Sequence, residues 1–132
     1  MGVCTHAQKV ANYAVGEPGK QNYEEFSFWV KDNKKAEIYY YYGKDRKEMK
    51  PKFIARTVLN GDSCFKVQLS KNYVLFIIPQ GNQLKVSDQN GIYKKVFTWK
   101  YEGPENGIGT FCTPCAEDEN AAMQLIKLYY MK

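Results

Sequence analysis

The sequence is poor in the groups that enzymes use most. It has one histidine, His6, and only two arginines, Arg46 and Arg56, in 132 residues. A Ser-His-Asp or Cys-His arrangement would have to use His6. That residue sits near the chain start, where a base is hard to hold to the fractions of an ångström that catalysis needs, and it reads as a surface residue. No phosphate-cradling glycine motif exists, because Gly103, Gly107 and Gly109 follow no strand and lack the spacing. Calcium-loop and zinc-protease motifs are absent as well. Glu24, Glu25, Glu37 and Asp62 are available as a carboxylate pair for glycoside hydrolysis, but acids on strand edges are usually just solvated. The chain is therefore expected to be non-catalytic and to need no cofactor.

Long apolar runs are also missing. No segment reaches the roughly 20 apolar residues that span a bilayer. The most apolar stretch, residues 73–79, is long enough only for a strand. Met1-Gly2-Val3-Cys4 opens directly into polar sequence with no apolar leader. Two explanations fit: a cytoplasmic protein, or an exported mature form whose signal has been replaced by a start methionine.

The four cysteines are Cys4, Cys64, Cys112 and Cys115. An even count allows two disulfides, as in secreted or periplasmic domains, and this is the expected arrangement. Two alternatives remain open. Cys4, His6, Cys112 and Cys115 could supply three sulfurs and an imidazole to a zinc ion, although one C-x-x-C with a distant C-x-H is a weak motif. Cys112 and Cys115 could also form a thiol-redox pair, but the βαβ context of such proteins is missing.

What the sequence has in abundance is aromatic side chains: eleven Tyr, seven Phe and two Trp, 15% of the chain. Such residues suit a pleated, half-buried surface. From residue 23 the hydrophobic period becomes two. Phe26, Phe28 and Val30 share one face, with Glu25, Ser27 and Trp29 on the other. Asp32-Asn33 makes a turn, and Ala36, Ile38, Tyr40 and Tyr42 share a face on the return, which together predict a hairpin. Phe53, Ile54 and Val58 anchor the next strand. Asn60-Gly61 then predicts a type I′ turn, whose two central residues need positive φ. Further strands are expected around Phe65, Val67 and Leu69, over residues 73–78, around Leu84 and Val86, and over residues 92–101. The 73–78 strand is apolar on both faces, so it should be central or covered.

Residues 23–101 thus read as an antiparallel meander of about seven to eight strands, forming a barrel or strongly bent sheet. Residues 1–22 read as a loosely structured segment, in which 10–15 could be a short strand or one turn of helix. Residues 103–109 form a glycine-rich loop. Residues 116–131 read as an amphipathic C-terminal helix with acids first and Lys127 late, its apolar stripe Ala122, Leu125, Ile126 and Tyr129 packed on the sheet or plugging the barrel. Residues 124–130 could instead be a final strand. A single domain, residues 1–132, is expected.

The net charge of +5 sits in residues 31–56, which hold nine basic and four acidic side chains. This face could steer an acidic partner, a phosphate or an anionic membrane surface. It could equally be a solvated loop with lysine-protected edge strands. Tyr39 and Tyr41 point away from the core face, with Lys44, Arg46, Lys47, Lys50 and Lys52 nearby. Exposed tyrosine beside cations makes a rigid, amphipathic contact surface, unless the two rings simply pack cross-strand on Trp29.

The layout resembles calycin barrels, pleckstrin-homology-like domains and the small β-barrel lysozyme inhibitors of bacterial envelopes, in strand-and-helix order alone. Layout does not fix function. The expectation is an exported, non-catalytic module binding a small apolar ligand or a protein partner, with the loops 43–51 and 103–109 as contact regions. The alternative is an intracellular adaptor binding nucleic acid or anionic lipid through the basic face. The modest charge and scarce arginine argue against nucleic acid.

Overall fold

The computed structural model describes residues 8–30, 36–100 and 118–131. It is mainly β. Among the described residues nine strands form one sheet: β1 (Gln8–Val15), β2 (Glu24–Val30), β3 (Ala36–Tyr42), β4 (Lys47–Met49), β5 (Lys52–Leu59), β6 (Asp62–Ser70), β7 (Tyr73–Gln80), β8 (Gln83–Asp88) and β9 (Lys94–Lys100). One helix, α1 (Glu119–Tyr130), follows. The sheet order is β4-β3-β2-β1-β9-β8-β7-β6-β5, and every adjacent pair is antiparallel. Two meanders, β1 to β4 and β5 to β9, are joined where Tyr13 of β1 lies opposite Trp99 of β9.

The curvature follows from the connectivity. β4 and β5 are the two outermost strands, yet only Lys50 and Pro51 separate them in sequence. Three Cα steps cover at most about 11 Å. Both edges of the sheet must therefore come close together, and the sheet curls into a half-barrel. Its concave side is a packed core. Phe26 packs at a tilt against Tyr40 and Phe97 at centroid distances of 4.9 and 5.2 Å, and Phe28 meets Tyr13, Phe65 and Tyr130. Val67, Leu75, Ile77, Leu84 and Val86 complete it from the other meander. Full burial of one such side chain contributes about 1.5–3 kcal/mol.

The helix lies against this core and leaves no final strand at residues 124–130. The Asp118 side chain caps its start, accepting from Ala121 N at 2.8 Å. It buries Ala122, Met123, Ile126 and Tyr130. This stripe is turned slightly from the expected one: Leu125 and Tyr129 are only partly buried at its border. The cause is Tyr130, whose ring fits among Phe28, Phe53 and Phe65 and brings its neighbours with it.

Three other expectations need correction. The segment expected to be loose contains β1, so residues 10–15 take the strand alternative rather than the helical one, and β1 lies well inside the sheet between β2 and β9. Ile54 and Val58 do not anchor a strand; they are 41% and 64% exposed. β5 is an edge strand, and a bulge between Phe53 and Ala55 shifts its register, so Phe53 alone reaches the core. Strand β9 starts at Lys94, leaving Ile92 exposed beyond its end.

Other signals are seen directly. Asn60 and Gly61 have φ of 52° and 88°, as the type I′ turn requires. Gly16 is obligatory for contact as well as for φ: a Cβ there would lie 2.3 Å from the Asn22 carbonyl oxygen. β7 is covered on both faces, as its composition predicts. Leu75 and Ile77 join the main core, while Phe76 and Ile78 form a second cluster with Cys64 and Leu59.

Candidate functional site

Glu24 and Glu25 are adjacent on β2, so they point to opposite faces of the sheet. Both are buried, Glu25 completely. A buried carboxylate is costly unless donors and cations satisfy it. Each of these two is satisfied in the same way, by phenols and cations.

On the concave side, Glu24 Oε1 accepts from the Tyr40 and Tyr93 hydroxyls at 2.6 and 2.5 Å, and Lys95 Nζ donates to Oε2. On the convex side, the Tyr23 hydroxyl donates to Glu25 Oε1, and Arg46 Nη2 lies 3.3 and 3.2 Å from the two carboxylate oxygens. Lys100 Nζ donates to the Tyr23 hydroxyl at 3.1 Å and sits 3.8 Å from Glu25. A third acid, Glu37, repeats the pattern: the Tyr39 hydroxyl donates to it, and Lys50 Nζ is 3.7 Å away.

The acids hold these phenols protonated. The bond to Glu37, then burial, then the Glu37 charge push Tyr39 up to about 12. Burial first, then the bond to Glu24, raises Tyr40 and Tyr93 further. Burial also raises Tyr41, with Glu48 adding to it and Arg46 opposing.

Four of the sequence-predicted binding residues converge on the convex face of β2, β3 and the turn after β3. Arg46 lies over the Tyr41 ring at 4.0 Å, and Lys50 Nζ is 5.7 Å from the Tyr39 ring. Tyr39 meets Trp29 edge-on at 6.0 Å, and Trp29 Nε1 donates to Ser27 Oγ at 2.7 Å. Tyr39 thus packs cross-strand on Trp29 while Tyr41 lies under Arg46, and both rings stay half-buried. Arg46 adopts φ 52°, a left-handed conformation uncommon for a residue with a Cβ. Its contacts with Tyr41 and Glu25 hold it there. Lys44, Lys47 and Lys52 are exposed and make no ion pair among the described residues.

Glu24, Glu25 and Glu37, expected as solvated acids, are thus buried, and they draw in Tyr23, Tyr93, Lys95 and Lys100, which no sequence motif marks. A local signal was present. Tyr23 and Glu25 are two residues apart on one face, and so are Glu37 and Tyr39.

Cys64 is a free thiol, buried against Phe76 and Ile78, and burial raises its pKa. Cys4, His6, Cys112, Cys115 and the 103–109 loop lie outside the described residues. Among the described residues no group of three His, Cys, Asp or Glu side chains is placed to hold a metal ion. Nor is any described helix long and apolar enough to cross a membrane. No known protein-family model matches the chain, and it has no significant match among curated proteins or solved structures.

Proposed function

We propose that this chain is a non-catalytic binding module that recognises a protein partner through the convex face carrying Tyr39, Tyr41, Arg46 and Lys50. The observation that carries the reading is Arg46. Its strained backbone, its stacking on Tyr41 and its ties to a buried carboxylate fix a guanidinium and a phenol in place before any partner arrives. Tyrosine, tryptophan and arginine dominate binding energy at protein interfaces, and side chains already held rigid lose little entropy on docking.

The reading favours a protein over a small apolar ligand because the concave side is filled by rings in mutual contact. It favours a protein over nucleic acid because Glu25 and Glu37 already engage Arg46, Lys100 and Lys50. Export belongs to the same proposal. With Cys64 a free thiol, it rests on Cys4, Cys112 and Cys115 sharing one disulfide.

The test is selection of ligands from a random displayed-peptide library against the folded protein. Selected peptides are expected to lose about tenfold or more in affinity for the Tyr41→Ala/Arg46→Ala double variant. Peptides that bind both proteins equally would place the working surface elsewhere.

A further inference from the structure

Among the described residues β5 ends the sheet on its side and pairs with β6 alone. An edge strand presents a row of N–H and C=O groups to whatever lies beside it. β5 is eight residues long with no proline; its Lys52 end lies against β3 where the sheet closes, which leaves about 20 Å of such edge over residues 54–59. Lys52, Ile54, Ala55, Arg56 and Val58 are all exposed. Its only charged side chains are the two cations, Lys52 and Arg56. The pairing with β6 places Arg56 and Val58 on the face that carries Phe65, and Lys52 on the opposite face.

These features restrict the occupant. A second copy of β5 laid alongside has no acid to meet either cation and adds two more positive charges to the edge. The bulge at Ile54 opposes a regular self-pairing as well. An acidic strand meets neither obstacle in full, because its charges complement both cations and it can adapt to one irregular edge.

We propose that the β5 edge takes up an extended acidic segment of a partner protein as an added strand, with carboxylates against Lys52 and Arg56 and apolar side chains against Ile54 and Val58. Backbone bonds would supply the affinity and the cations the selectivity. The Lys52 end of this edge adjoins the Lys50 border of the Tyr41–Arg46 face, while Arg56 and Val58 lie beyond it.

The probe is a short peptide in which pairs of glutamates alternate with pairs of valines, titrated into the full chain and followed by amide hydrogen exchange. Saturable binding is expected, with new protection at β5 amides and affinity falling about tenfold between low and physiological salt. Arg56→Glu should weaken binding about tenfold, whereas Tyr41→Ala should leave it unchanged. Four results would each overturn the proposal: no saturable binding, equal binding of the lysine-for-glutamate peptide, protection elsewhere than β5, or a concentration-dependent dimer protected at β5. Loss of binding in Tyr41→Ala would do the same and would assign the peptide to the other face.

Discussion

The Tyr130 hydroxyl donates to the Trp29 carbonyl at 2.6 Å, tying the last turn of α1 to β2 across 101 residues of sequence. The same oxygen accepts from Trp29 N at 3.1 Å and lies 3.1 Å from the Glu37 carbonyl. A fully buried phenol has thus become part of the backbone bonding of β2 and β3. Tyr130→Phe keeps the ring contacts and removes these bonds. The expected loss is about 1–3 kcal/mol, read as a lower urea midpoint with an unchanged slope. An unshifted midpoint would mean that the helix is held by its apolar stripe alone.

The Glu25 cluster should respond asymmetrically. Arg46 and Lys100 side chains are 50% and 38% exposed, so without Glu25 they reach water. Glu25 has no such escape. Glu25→Leu is expected to cost about 1–3 kcal/mol, and Arg46→Ala/Lys100→Ala about 3–5 kcal/mol, because a buried charge left without partners costs most. Denaturant titration of both variants checks the order. At Arg46 itself, Gly should be more stable than Ala by about 1 kcal/mol, since φ 52° strains any residue with a Cβ.

Alkaline pH should unfold the chain cooperatively. Tyr39 titrates near 12 when folded against 10.0 for an ordinary tyrosine, and Tyr13, Tyr40, Tyr93 and Tyr130 lie higher still, burial being the first cause in those four. Each folded value is raised. The stabilisation is therefore complete below pH 10 and is lost as pH rises from there through 12, where the unfolded chain gives up protons that the folded chain keeps. Absorbance at 295 nm should lag behind free tyrosine and then rise with the loss of far-ultraviolet signal. A tyrosine titration centred at 10 without unfolding would contradict the buried phenols.

Much of this fold is legible where a local rule suffices. Alternation marks the β2–β3 hairpin, Asn60-Gly61 marks a turn, and the acids before Ala122 mark a helix start. β1 is not legible in that way. Its Ala11, Asn12 and Ala14 carry little strand signal, and its position depends on pairing with β9 more than 80 residues away. β4 is three residues long, too short for any period. The exposure of Ile54 and Val58 depends on β5 being an edge, which only the closing of the sheet decides. At the candidate site, Tyr39, Tyr41, Arg46 and Lys50 were readable as a cluster of types. The carboxylates that organise them were not, because burial of Glu25 arises from cross-strand neighbours Tyr41 and Ala14 and from the turn that carries Arg46.

The concave side of the sheet is core, and the proposed function gives the convex Tyr41–Arg46 side to a partner. A nitrogen-15 and methyl chemical-shift map on adding a library-selected peptide tests this most directly. The expected map has its largest changes at Tyr39, Tyr41, Arg46 and Lys50, with Phe26, Phe97, Leu84 and Ile126 undisturbed. Large changes at those core residues, with a quiet convex face, would contradict it.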